Sequence, residues 1–326
     1  MKFEQQIKVQ ARELGIAHLG ITSITKPRHF ENYVQWIEKG YAGEMWYLTE
    51  TIRKEKRGQI DQVFPGAKSV IVATFSYKPT INKHKTNAKF ARYGWGLDYH
   101  KFVKKKLQQL MDWIEKECNQ KIQYRIYVDT GPILEKSLAE RAGVGWIGKN
   151  TCLINQEFGS YLFLGEILLD LDLSSDHASV AHCGSCTQCL DACPTQAFIG
   201  PYQMDATKCI SYHTIESKYL EMPEQIAKNL NGYVAGCDIC QEVCPWNNKA
   251  PATTLPELTP GPHTTLSLET ILNLTQSEYD QYFKDTSFKR IPLPKLKANA
   301  KLNLDYPCNE TARAKIPLKK RSFGTP

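Results

Sequence analysis

The chain has 326 residues, room for about two domains with a sizeable core in each, which excludes a peptide hormone or a disulfide-knotted miniprotein. Its composition, 42% hydrophobic and 23% charged, matches an ordinary globular protein, and no run approaches the roughly 18 apolar residues of a membrane span. The net charge of +7 is concentrated at one end: eleven basic and three acidic residues lie from Lys284 onward, and the rest is close to neutral.

The opening MKFEQQIKVQARELG carries two acids and no apolar signal core, which predicts a cytoplasmic protein. Residues 4–14 read as a helix and 16–23 as a short strand. Lys68 to Tyr77 is β-branched and apolar, predicting a buried strand after the Pro65-Gly66 turn. Over Asp98 to Cys118, the apolar residues Phe102, Val103, Leu107, Leu110, Met111 and Ile114 recur at three and four. That spacing predicts a helix with Lys101, Lys104, Lys105 and Lys106 on its solvated face. Ile122 to Val128 then reads as a strand, Pro132 to Arg141 as a helix with proline in its first turn, and Tyr161 to Leu171 as a strand. Helices and strands interleave, so the fold class is α+β, with a mixed α/β domain over residues 1–173. A polar stretch at Ser174 to His182 and a Pro/Thr-rich one at Ala250 to His263 set the other boundaries, giving domains at 174–250 and 251–326.

Eleven cysteines in a reducing compartment point to metal binding or chemistry rather than disulfides. Eight of them fall between residues 183 and 244, while Cys118, Cys152 and Cys308 are scattered and read as ordinary thiols. Cys183-x2-Cys186-x2-Cys189-x3-Cys193-Pro194 is the bacterial ferredoxin run, in which the cysteine before proline reaches across to a second cluster. Cys237-x2-Cys240-x3-Cys244-Pro245 nearly repeats it. Two 4Fe-4S clusters are therefore expected, one on Cys183, Cys186, Cys189 and Cys244, the other on Cys193, Cys237, Cys240 and Cys209. The alternative is a pair of structural zinc sites, which CxxC pairs also suit. The glycines of GVGWIGKN, Gly143, Gly145 and Gly148, follow a helix rather than a strand and support only a weak phosphate-loop reading.

The block VDTGPILEKSLAERAGVGWIGKNT (128–151), followed by GSYLFLGEI and by the two cysteine runs with CISYHTIE between them, resembles the epoxyqueuosine reductase family. The resemblance covers roughly residues 1 to 290. It implies a cobalamin-dependent oxidoreductase with two 4Fe-4S clusters, related to reductive dehalogenases, that completes queuosine synthesis at the tRNA wobble position. The fold implied is an N-terminal cobalamin-binding domain, a ferredoxin-like double-cluster domain and a basic C-terminal tail. The implied partners are tRNA with a GUN anticodon (the Asp, Asn, His and Tyr acceptors) and an external electron donor, with no membrane and a monomeric enzyme.

Carried over residue by residue, the family's catalytic acid falls on Asp129, where an apolar pocket is expected to raise the carboxyl pKa and keep it protonated. The competing reading makes Asp129 or Thr130 a cap of the following helix. Similarity also points to Arg57, Tyr99, His100, Lys149, Asn150, Ser160, Ser211 and Tyr212 around the corrinoid and substrate. Lys149 and Asn150 are expected to meet corrin amides or a phosphate, and Trp246-Asn247 to shape the contact between cluster and macrocycle. The corrinoid signature Asp-x-His-x-x-Gly is not met at Asp98-Tyr99-His100, so that histidine ligand is not expected.

Phosphate contacts are expected from Lys101 to Lys106, Arg53 to Arg57 and Lys284 to Lys301, and base stacking or core packing from Tyr93, Trp95 and Trp146. Prolines at 292, 294, 307, 317 and 326 argue against a packed helical repeat after Arg290 and for disordered or extended chain. Two other functions compete: a corrinoid reductase acting on a small molecule, and a non-enzymatic electron carrier or zinc-stabilised RNA-binding module.

Overall fold

The computed structural model describes residues 1–80 and 83–307; Cys308 and the basic stretch that follows lie outside the described residues. Its centre is a four-stranded antiparallel sheet made of β1 (His18–Ser23), β2 (Ser69–Ser76), β3 (Tyr124–Tyr127) and β4 (Leu162–Leu169). The strand order is β1-β2-β4-β3, with Ile71 opposite Ile167 and Tyr127 opposite Glu166.

All eight residues of β2 are buried, which the unbroken β-branched run VIVATF requires of a strand covered on both faces. Ile71, Ala73 and Phe75 point to one face, where α1 (Phe3–Glu13) and α2 (Tyr99–Cys118) pack. Val70, Val72 and Leu168 point to the other, covered by Leu138 and Ala139 of α3 (Glu135–Arg141). Asp98 caps α2 by accepting from the His100 N–H, and Asn119 ends it in the left-handed conformation. The six apolar residues predicted for α2 are its six buried ones, each worth about 1.5–3 kcal/mol of burial.

Helix α3 starts three residues later than the proline suggested. The stretch 129–134 is a turn, and Leu134, not Asp129 or Thr130, stands at the N-cap without a side-chain cap bond. The capping role weighed for Asp129 is thus absent. Short helices at Phe30–Glu38 and Thr51–Gly58 were not apparent from the sequence; the second is nearly all polar, with Ile52 as its one large apolar residue.

A second core joins Phe90 and Trp95 to Val234 and to Leu268, Ile271, Phe283, Phe288, Leu296 and Ala300. It includes α4 (Leu293–Asp305), a 13-residue helix where the prolines argued for extended chain. Pro292 is its N-cap and Pro294 lies in its first turn, positions whose N–H groups need no helical acceptor. Pro307 follows its end, so the three prolines frame the helix. Asn299, fully buried on α4, donates to the Thr214 and Val234 carbonyls, while Asn303 donates to the Tyr233 carbonyl and accepts from the Gly232 N–H.

Asn299→Leu leaves two buried carbonyls without donors, at about 1–3 kcal/mol each. A lowered thermal midpoint of the loaded protein is expected, and an unchanged midpoint would show that these bonds do not hold α4.

Candidate functional site

Strand β3 ends against Glu166 of β4, and the chain turns sharply at Asp129. Asp129 has φ +61, and the Thr130 N–H donates to the Val128 carbonyl at 2.6 Å, closing a γ-turn. A non-glycine residue there is strained and needs anchoring. The Asp129 N–H donates to Glu135 Oε1 at 2.7 Å, and its Oδ2 lies 3.3 Å from His100 Nε2. His100 Nδ1 in turn is 2.6 Å from Asp98 Oδ1. The imidazole is stacked on Tyr99, which stacks on Phe163. Asp98-Tyr99-His100 thus acts as the first turn of α2 aimed at the end of β3.

Burial alone would lower the His100 pKa, but bonds to Asp129 and Asp98 outweigh it and push it up to about 9. Burial raises the Asp129 carboxyl, yet His100, a Tyr99 hydrogen bond and the Arg290 charge hold it below the usual carboxylate value. The sequence predicted a raised, protonated Asp129; in the folded protein the proton of the pair stands on His100.

Residues that sequence reasoning missed surround this pair. Arg290 bonds Glu216 at 2.8 Å, and the Tyr47 hydroxyl donates to the same carboxylate at 3.1 Å. Both belong to the electrostatic surroundings of Asp129. Arg57 is 5% exposed, so it is no solvated member of its basic run; it donates to the Tyr47 carbonyl and lies over the Tyr33 ring. Tyr212 accepts the Glu44 N–H through its hydroxyl, and Ser211 stands at the N-cap of the turn 212–216 that carries Glu216.

The remaining predicted residues gather at the cysteine loops. Cys183, Cys186, Cys189 and Cys244 line one small cavity with Lys149, Asn150 and Trp246. Cys193, Cys209, Cys237 and Cys240 form a second electrostatic neighbourhood. Burial pushes the Cys189 thiol up to about 11 and Cys244 to about 12, so iron is what would hold them as thiolates. Among the described residues no three His, Cys, Asp or Glu groups are arranged to hold a single metal ion.

Lys149, expected at corrin amides or a phosphate, donates its ammonium to the Gly184 and Cys186 carbonyls at 2.7 and 2.9 Å, fastening the first cysteine loop. Asn150, also expected there, donates to the Cys240 carbonyl. Ser160 donates to Gln241 and accepts from Asn247, which joins β4 to the last cysteine run. Buried Arg92 binds Asp238, between Cys237 and Cys240, and Glu242, each at 2.9 Å. Cys152, read as an ordinary thiol, hydrogen-bonds with Cys240.

Trp95 and Trp146 are 5% and 2% exposed, which gives them core packing rather than base stacking. Lys101, Lys104 and Lys105 are exposed, whereas Lys295 is buried and donates to the Tyr219 carbonyl, removing it from the phosphate-contact candidates.

A family profile described as "Epoxyqueuosine reductase QueG, DUF1730" matches residues 57–130, the span from Arg57 through Asp129. A second, the 4Fe-4S double cluster binding domain, matches residues 182–247. The chain is 40% identical over 312 residues to the epoxyqueuosine reductase of Atelocyanobacterium thalassa, covering 93% of this chain and 100% of that protein. It is 42% identical over 293 residues to that of Synechocystis sp., covering 88% and 100%. Among solved structures, an epoxyqueuosine reductase with a tRNA-Tyr epoxyqueuosine-modified stem loop superposes at TM-score 0.84, with 30% identity, 93% of this chain and 81% of that one. One from Bacillus subtilis, with its catalytic loop swung out of the active site, superposes equally well at 29% identity over the same shares.

The raised His100 pKa makes its contribution to stability complete below the unfolded value near 6.5 and lost as pH rises through about 9. Thermal midpoints of the wild-type protein are expected to fall relative to His100→Gln across that window; parallel profiles would remove the ion pair.

Proposed function

The chain belongs to the epoxyqueuosine reductase family, and we propose that it reduces epoxyqueuosine to queuosine at the wobble position of tRNA, with Asp129 and His100 handling the proton. The observation that carries this reading is the contact between Asp129 and His100 at the open end of the sheet. Removing the epoxide oxygen as water consumes two electrons and two protons. Asp129 is about half exposed at its side chain, so substrate can reach it, and His100 behind it stores a proton at neutral pH. Asp129 relays that proton to the departing oxygen, which avoids an alkoxide leaving group. Asp98 keeps the imidazole oriented and basic enough to be recharged.

The eight thiols in two buried sets fit two 4Fe-4S clusters, with Cys183, Cys186, Cys189 and Cys244 on one and Cys193, Cys209, Cys237 and Cys240 on the other. Around Asp129, the half-exposed Arg290 with Tyr47 and Tyr99 would offer N–H and O–H groups to the amide rim of cobalamin, while buried Arg57 supports Tyr47 from behind through its carbonyl. When bound, cobalamin supplies the reduced metal centre and the clusters supply single electrons from an external donor. Lys149 and Arg92 hold the two cysteine loops in place from outside. Ser160 and Asn247 lock the last cysteine run to the sheet, so the clusters and Asp129 share one rigid frame.

The tRNA recognised is one with a GUN anticodon, and the exposed Lys101, Lys104 and Lys105 beside the Asp98 turn support phosphate contacts near the site. The enzyme acts as a cytoplasmic monomer.

Asp129→Asn is expected to abolish turnover on epoxyqueuosine-containing tRNA while tRNA affinity and the visible spectrum persist; full turnover would remove Asp129 from the chemistry. Cys189→Ser is expected to halve the iron and acid-labile sulfide of anaerobically loaded protein. An unchanged iron content, or zinc in its place, would overturn the cluster assignment.

A further inference from the structure

Behind Asp129 lies a carboxyl pair that the proton-handling scheme does not use. Glu166 stands on β4 with its side chain completely buried, on the same face as Val72 and Leu168. Among the described residues no N–H or O–H reaches either of its carboxylate oxygens. Its polar neighbour is the carboxyl of Glu135, the first residue of α3, and the two can bond only by sharing a proton. Two acids in contact inside a core are costly unless they do something together. Glu135 Oε1 also accepts the Asp129 N–H at 2.7 Å, and Asp129 is the left-handed centre of the γ-turn.

We propose that Glu135, backed by Glu166, is the positioning residue of the catalytic turn: its carboxylate, fixed from behind by the Glu166 hydroxyl, holds the Asp129 N–H and so aims the Asp129 side chain at His100 and the substrate. This rests on the reading of Asp129 as the acid.

The geometry leaves the turn few other anchors. The γ-turn bond joins Val128 to Thr130 and does not tie the segment to the body of the protein. Unlatched, an L-residue at φ +61 relaxes toward the β or right-handed region, and the carboxyl swings away. Burial first, and then the nearby Asp129 charge, raise Glu135 to about 7, while Glu166 is raised further by burial and by Glu135. One proton therefore stays on Glu166 and serves as its donor to Glu135. The groups that face the pair are Asp129, from the end of β3, and Lys136 on α3, whose charge favours ionised Glu135.

The test compares three variants of the loaded enzyme by tRNA turnover and by amide hydrogen exchange over residues 128–131. Glu135→Ala and Glu135→Asp, the second keeping the charge but withdrawing the oxygen by one methylene, are expected to lower kcat about ten- to a hundredfold, one lost charge-assisted bond, with KM for tRNA little changed. Both are expected to exchange the turn faster by a similar factor. Glu135→Gln, whose amide oxygen accepts the same N–H, is expected to restore both. Intact cluster absorbance identifies a folded variant, and Glu135→Asp carries the test if the alanine variant does not load. Unchanged exchange in Glu135→Asp, or Glu135→Gln as impaired as Glu135→Ala, overturns the latch. Faster exchange with full turnover overturns its tie to catalysis. The exchange readout does not depend on Asp129 being the acid, which Asp129→Asn tests separately.

Discussion

The pairing of β3 with β4 is the constraint from which the site follows. Four register pairs, Tyr124 with Leu169 through Tyr127 with Glu166, deliver Asp129 to the open end of the sheet. A strand slipped by one residue would turn its side chains to the opposite face and send Glu166 out of the layer beneath α3. On the other side of the sheet, α2 is held by Phe102, Val103, Leu107, Leu110, Met111 and Ile114, and its first turn carries Asp98 and His100. Asp129 and His100 therefore come from elements on a common scaffold, and their 3.3 Å approach is fixed by apolar packing away from the pair itself.

Much of this was legible in the sequence where local pattern decides the outcome. The run KSVIVATFSY read as a buried strand and is one, with all eight residues of β2 buried, and the three-four spacing in 98–118 gave α2 with its buried face intact. The cysteine spacing paired Cys244 with the first run although it sits in the second. What escaped depends on contacts between distant residues. Arg290 and Glu216 meet beside Asp129 from segments remote in the chain, and nothing in either neighbourhood announces the other. The lowered pKa of Asp129 was misjudged for the same reason: an apolar setting was visible in sequence, but the His100 contact that outweighs it was not. Prolines misled at 292 and 294 because the sign of their effect depends on position, forbidding a helix interior and favouring its first turn.

Charge is used differently in the two halves of the molecule. Around Asp129 it is partly exposed and mobile in the chemical sense, with a proton that can move between partners. Around the cysteine loops it is buried and static: Arg92 between Asp238 and Glu242 satisfies a desolvated network that would be strongly destabilised by loss of a single member. On the proposed reading the first arrangement serves turnover, and the second keeps the cysteine loops in one geometry.

The crossing of the cysteine runs also has a meaning for how the protein is made. Cys244 completes the cavity begun at Cys183, while Cys193 belongs with the later set. On the proposed assignment the later set closes at Cys240 and the earlier one only at Cys244, so the set begun first along the chain is the last to be completed. A chain broken between those two residues would keep the later nest whole and leave the earlier one a sulfur short, so the opening run depends for its closure on the far end of the segment.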